Sequence, residues 1–360
     1  MTGEEQEHEA SSESSALSRR TLLKAGLAGG VAAAAAGIGG GTAAAARTPR
    51  ASGSGNISGL YVAAGILTTA SYWEGPKLAL QKAQQHYPGV TTQFTGITGL
   101  NDADLVTVME EILPKNPKGL MIEPADPHAV QSFIRKAEAQ GVPCLNINSA
   151  YLANGAELGY IGFSRQEQGQ LVAQLVAKYT KKKSGTAVGV VFDASALAMV
   201  DVYQGFKSEL HHLRPNMQVI QAVDKADIQY GTTLLTELLT SHKDIVALGG
   251  LDTVAGQCAA NAVKATGRSD VVVIAGALDE AQNQYWPLIE SGVVQSAVLS
   301  SSFEQFWVAM QFLINLNSNA IDGINWRRYK NVRVVPKNVD LGSFVIDKSN
   351  LSAVKNLKLG

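Results

Sequence analysis

Two similar α/β lobes, each built on a parallel sheet with helices on both faces, are the fold this sequence predicts. Three observations carry the expectation. Short apolar runs with no polar face recur along the chain. Segments with apolar residues three and four apart lie between them. Continued over the whole length, the alternation gives about ten strands, more than one compact sheet of this type holds, so two lobes are the simpler arrangement.

The strand candidates are LYVAAG at 60–65, GLMIEP at 119–124, PCLNI at 143–147, AVGVVF at 187–192, IVALGG at 245–250 and VVVIAG at 271–276. Runs like these suit strands covered on both faces. Helical periodicity marks 76–86, 102–113, 128–140, 166–179, 202–212, 230–240 and 253–266. Several of these end in a stop signal, such as Tyr87-Pro88-Gly89, Gln140-Gly141 and Thr266-Gly267. Strand, helix, strand at this spacing is the βαβ unit, whose right-handed crossover builds a doubly wound sheet.

Composition sets the outer limits. The 360 residues are 46% hydrophobic and 17% charged, enough to bury a sizeable core. A formal net charge of -1 gives no electrostatic footprint for nucleic acid or an anionic membrane surface, so neither is expected as a partner. The two cysteines, Cys144 and Cys258, sit in an apolar run and a helical pattern and read as small core residues. With no matching histidine cluster, no metal or other cofactor is expected.

The N-terminus differs in character. Residues 1–16 are acidic and Ser-rich and read as a disordered lead-in. SRRTLLK at 18–24 precedes an Ala/Gly-rich apolar stretch at 25–46, the pattern of a twin-arginine export signal. Ala44, Ala45 and Ala46 meet the small-residue cleavage requirement, which places maturation before Arg47. The competing reading is a retained anchor or a low-complexity tail. No cysteine stands at the new N-terminus, so a lipoprotein is not expected. Residues 47–56 read as a flexible linker and 348–360 as a C-terminal tail.

In open α/β sheets, ligands sit outside the carboxyl ends of the strands. The positions just after each strand carry Tyr72 and Trp73, Glu123, Asn148 and Ser149, Arg165, Asp252, Asp279 and Ser300. Asp, Asn and Ser also cap the helix that follows, which is the plainer role for any one of them. The aromatic pair has no capping role and is the stronger candidate.

The strings GLYVAAGILTTASYWEG, KGLMIEPADPHAV, RKAEAQGVPCLNINSA and YIGFSRQEQGQLVAQLVAK, followed by VYQGFKSEL, DIQYGTTLLTELLTSHKDI and GQCAANAVKATGRSDVVVIAG, resemble in order the type I periplasmic binding proteins of the ribose-binding branch. The resemblance implies two Rossmann-like lobes joined by a three-segment hinge, with a ligand clamped between them. The first lobe would hold 57–163 and 301–330, and the second 164–300 and 331–347. The hinge would lie near 163–164, 300–301 and 330–333. Tyr72 and Trp73 would stack on a sugar ring, and Asp227 would join the positions above in the ligand set.

Departures from the family's pattern are as informative. Glu123 stands where an Asn is usual, and Asn148-Ser149 replaces an Asp-Arg pair. Val202 stands for an Arg, Leu251 for an Asn and Ser300 for a hinge Gln. The substitutions remove two guanidinium groups that would grip vicinal hydroxyls. The resemblance implies a monomeric, exported solute receptor for an ABC permease, binding a sugar, a polyol or a sugar derivative. Presentation of the ligand to a membrane chemoreceptor or kinase, or a non-sugar ligand such as an amine, are the alternatives. Glycine phosphate-binding fingerprints, a nucleophile elbow and metalloprotease motifs are missing from the sequence, so catalysis is not expected.

Overall fold

The computed structural model describes residues 55–278, 285–318 and 336–355. The export-signal pattern, nearly all of the linker, Asp279, the hinge stretch 330–333 and the last five residues of the chain lie outside the described residues.

Twelve strands in the described residues form two six-stranded sheets. The first contains β1 (Gly59–Gly65), β2 (Val90–Gly96), β3 (Gly119–Glu123), β4 (Cys144–Ile147), β5 (Gly159–Gly162) and β11 (Asn338–Asp340), in the order β11-β5-β4-β3-β1-β2. Every neighbouring pair in it is parallel. The second contains β6 (Gly185–Val191), β7 (Met217–Val223), β8 (Ile245–Gly250), β9 (Val272–Leu278), β10 (Ser296–Leu299) and β12 (Phe344–Ile346), in the order β12-β10-β9-β8-β6-β7. It is parallel except where β12 runs antiparallel to β10.

The helices are α1 (Glu74–His86), α2 (Asp102–Ile112), α3 (Gln131–Ala139), α4 (Arg165–Tyr179), α5 (Leu197–Leu213), α6 (Ile228–Ser241), α7 (Ala255–Thr266), α8 (Tyr285–Ser291), α9 (Ser302–Ser318) and α10 (Leu351–Lys355). Alternation along β1 shows why the strands read as apolar throughout. Tyr61 and Ala63 face α1 and α9 with Leu80 and Phe306, while Val62 and Ala64 face α2 and α3 with Leu105 and Ile134. The second sheet repeats the scheme. Val188 and Val190 pack with Leu235 and Cys258, and Ala187 and Val191 pack with Val172 and Phe206. Both cysteines are free thiols buried in these cores.

Helices α4 and α5 approach closely because each offers a glycine at the crossing. A Cβ at Gly169 would lie 2.0 Å from the Val202 carbonyl oxygen, and one at Gly205 would lie 2.1 Å from that of Gln166. Neither clash is relieved by a flexible side chain, since both partners are backbone.

The chain leaves the first sheet after β5, returns to it with α9, and leaves it again after β11. This last point differs from the boundary read from the sequence, which placed all of 331–347 in the second lobe. Asn338, Val339 and Asp340 still pair with Tyr160, Ile161 and Gly162 of β5. The third crossing therefore falls at 341–343, just before β12. Two three-residue strands of unremarkable polarity gave no periodic signal from which to place it.

Candidate functional site

The carboxyl ends of strands from both sheets border one cleft, with a cavity of about 90 Å³.

The first wall starts at the end of β1. Ser71–Trp73 forms one turn of 3-10 helix rather than an open loop. Trp73 is only 1% exposed, and its indole contacts Phe94, Phe306 and Tyr72. Its Nε1 donates to the Ile66 carbonyl at 2.9 Å. Gly65 leaves the slot for this ring, since a Cβ there would lie 2.3 Å from the indole. The expected pair of ring-stacking aromatics thus divides. Trp73 borders the cleft from within the core, while Tyr72 turns its hydroxyl toward the polar groups.

Tyr72 Oη donates to Glu123 Oε2 at 2.8 Å, and Asn148 Nδ2 donates to Glu123 Oε1 at 2.7 Å. Glu123 ends β3, and burial pushes its carboxyl up to about 7. The bonds from Tyr72 and Asn148 and the charge of Arg165 pull the other way. Asn148 follows β4 with φ of 56°, a left-handed conformation that Asn tolerates better than most residues. That turn presents both its carbonyl and its Oδ1 to Arg165, whose Nη2 donates to each at 2.7 Å. Arg165 also lies over the Phe163 ring at 4.4 Å, and its Nε is buried with no hydrogen-bond partner among the described residues.

Arg165 changes the reading of the departures. Guanidinium groups are missing at two of the family's usual positions, while Arg165 is among the candidates that the sequence offers. The structure brings its guanidinium in from the first turn of α4, on the second lobe, to Asn148 on the first. From Arg165, Nη1 reaches Gln168 Oε1 at 3.3 Å, and Gln168 Nε2 reaches Ser300 Oγ at 3.4 Å. Ser300 and Ser343 hydroxyls are 2.6 Å apart. A polar chain therefore runs from Tyr72 to the segments joining the lobes, and Ser300 belongs to its hinge end. Ser149 lines the cleft, with its hydroxyl donated to Asn146 Oδ1.

The second wall is chiefly apolar. Phe192, Ala196, Ala198, Met199 and Val254 line it, with Asp252 and Thr253 beside them. Asp193 folds back onto its own loop, accepting from Ser195 and Ala196 backbone N–H groups. Val202, expected at the cleft, is 0% exposed in the core; Met199, one helical turn earlier, faces the cleft instead. Asp227 does not line the cleft. It is exposed and caps α6, accepting from Tyr230 N–H at 2.9 Å.

Beneath this wall Asp252, a candidate from the sequence, is paired with Asp224, which the sequence did not single out. Asp224 is 0% exposed and Asp252 4% exposed, and they lie within hydrogen-bonding reach of each other. Asp224 Oδ1 accepts from Ala226 N–H, and Asp252 Oδ1 accepts from Val254 and Ala255 N–H, while each Oδ2 is buried with no other partner. Burial, and then the charge of Asp252, raises Asp224, and burial raises Asp252, so the pair is expected to hold one proton between them. The loop KAD at 225–227 gave no hint that the aspartate before it, not the one within it, is the buried one.

The periplasmic binding protein domain family matches residues 62–320. The chain belongs to this family. Among curated members, the D-ribose/D-allose-binding protein of Pseudomonas aeruginosa is 25% identical over 178 residues, 48% of this chain and 54% of that protein. The match thus spans about half of that relative. The D-galactose/methyl-galactoside binding periplasmic protein of Haemophilus influenzae is 26% identical over 267 residues, 67% of this chain and 75% of its own. Among solved structures, AraP, an arabinose binding protein from Geobacillus stearothermophilus, superposes with a TM-score of 0.66 at 21% identity, covering 82% of this chain and 99% of that one. As a periplasmic binding protein, this chain carries its ligand cleft where the fold dictates, outside the strand ends of both sheets.

Proposed function

We propose that this periplasmic binding protein takes up a sugar, a polyol or a sugar derivative between its lobes and hands it to an ABC permease. The observation that carries the proposal is the polar chain Tyr72–Glu123–Asn148–Arg165, which borders a cleft whose other wall comes from the second lobe. Hydroxyls can both donate to Glu123 and accept from donors around it, so a polyol suits such a chain better than an ion of either sign. Open and closed lobes are in equilibrium, and ligand contacts complete only on closure favour the closed form. The names of the relatives agree with a sugar ligand. Arg19 and Arg20 before an Ala/Gly-rich stretch agree with export of the folded protein by the twin-arginine route. The proposal includes no catalytic step and no cofactor.

A thermal-shift screen of the full chain against sugars, polyols, amino acids, amines and nucleosides tests it. A ligand that binds only the folded state raises the melting temperature by mass action. Stabilisation by sugars or polyols is the expected result. Stabilisation by amines or amino acids only would refute the sugar reading.

A further inference from the structure

The two walls of the cleft differ in chemistry, and the difference restricts the ligand. On the first lobe, Tyr72, Glu123, Asn148 and Ser149 give hydrogen-bonding groups, joined by Arg165 from the start of α4. On the second, Phe192, Ala196, Ala198, Met199 and Val254 present carbon to the same space. The two polar residues of that side, Asp252 and Thr253, stand on the loop after β8, a different segment from the one that carries Ala196, Ala198 and Met199. Asp252 Oδ1 accepts from two backbone N–H groups, and its Oδ2 is buried near Asp224 with no hydrogen-bond partner among the described residues.

A hydroxyl directed at Met199 and the two alanines would lose its water and gain no side-chain partner. A methyl or methylene there would bury against matching surface. Met199 itself is well suited to such a contact, since its unbranched thioether adapts to a small alkyl group. Ala196 and Ala198 keep the wall shallow enough to admit one.

We infer that the ligand is a sugar or polyol with one deoxygenated end, such as a 6-deoxyhexose. Its hydroxyls meet the Tyr72–Glu123–Asn148–Arg165 side, and its methyl group meets Met199, Ala198 and Ala196. The inference rests on the sugar reading of the cleft and adds to it which hydroxyl is absent and which wall selects against it.

The test is titration calorimetry of the full chain with matched pairs that differ at one position: D-fucose against D-galactose, L-fucose against L-galactose, and L-rhamnose against L-mannose. For at least one pair, the deoxy member is expected to bind tighter by roughly tenfold to a hundredfold, as one mismatched group in an apolar pocket allows. Met199→Gln places an amide at the wall and is expected to narrow that ratio by admitting the hydroxylated member. Ala198→Ser makes the same change with less volume and serves if the glutamine variant does not fold. Hexoses binding as tightly as, or tighter than, their deoxy partners in every pair would overturn the inference and leave the sugar reading standing. Binding of no sugar of either kind would overturn both.

Discussion

Trp73 and Tyr72 are adjacent, and both border the cleft, yet they answer to different forces. The indole of Trp73 is almost wholly enclosed by Phe94, Phe306 and the gap left by Gly65, with its N–H satisfied by Ile66. Removing a buried ring of that size leaves a cavity, so Trp73→Ala is expected to cost about 3–5 kcal/mol of folding stability. Tyr72→Phe removes one hydroxyl from Glu123 and leaves the ring, so it should cost about 1 kcal/mol or less in stability. Its effect is expected on ligand affinity instead. Denaturant unfolding and calorimetry on both variants separate the two roles. Equal stability of Trp73→Ala and the unaltered protein would show that the indole is not held in the core. The sequence marked both aromatics as cleft residues because their position after β1 is legible, whereas the burial of the Trp73 ring depends on Phe94 and Phe306, and the direction of the Tyr72 hydroxyl on Glu123, all distant in sequence. Arg165 was legible as a candidate for the same positional reason. Its reach to Asn148 was not, because it depends on the left-handed backbone at that residue.

At the scale of elements, the loops after β7 and β8 are fastened by Asp224 and Asp252. Each carboxyl holds its own loop through backbone N–H groups, and a proton shared between the two carboxyls is expected to join the loops. The acids, hydroxyl and thiol that face the pair are Asp227, Tyr285 and Cys258, none of which supplies a compensating positive charge. Because both acids titrate above the ordinary 3.8 in the folded state, the fold binds more protons than the unfolded chain. Their contribution is therefore full below that value and declines as pH rises past it. Glu123, raised to about 7, adds to the decline in the same direction. Between about pH 5 and pH 8 the protein should lose stability. Asp224→Asn supplies an amide N–H to Asp252 at any pH, and is expected to flatten the decline and melt higher than the unaltered protein at pH 8. Thermal unfolding across that range measures it. A variant with the same slope as the unaltered protein would rule out the shared proton. Strand-then-helix order told where such loops lie, and six of the sheet strands were readable from apolar runs. Nothing in the loop's own composition distinguishes Asp224, packed beside Cys258 and Gly231, from Asp227, which only caps α6.

For the whole molecule, the central question is what holds the lobes at a given angle. Within the cleft, Arg165 belongs to α4 over the second sheet, and Asn148 follows β4 in the first, so their bonds cross from lobe to lobe. The same guanidinium continues through Gln168 to Ser300 and Ser343 in the connecting segments. Hydrogen bonds from a charged donor contribute about 1.5–3 kcal/mol. A contact of that size, present in the closed form and absent in the open one, shifts their ratio by roughly tenfold to a hundredfold. Arg165→Met keeps much of the side-chain volume and removes the guanidinium's bonds to Asn148 and Gln168. The ligand-free variant is expected to have a larger radius of gyration than the unaltered protein in small-angle scattering. Its ligand affinity should fall by about the same tenfold to hundredfold, because closure must then be driven by the ligand without the latch. Saturating ligand should return the variant to the compact dimensions, since the closed geometry itself is unchanged. If the radius of gyration does not differ while affinity falls, Arg165 acts on the ligand directly and the lobes are held by packing at the connecting segments. If neither changes, the bonds to Asn148 are replaced by water at no cost, and the restraint on closure lies in the segments that carry Ser300 and Ser343.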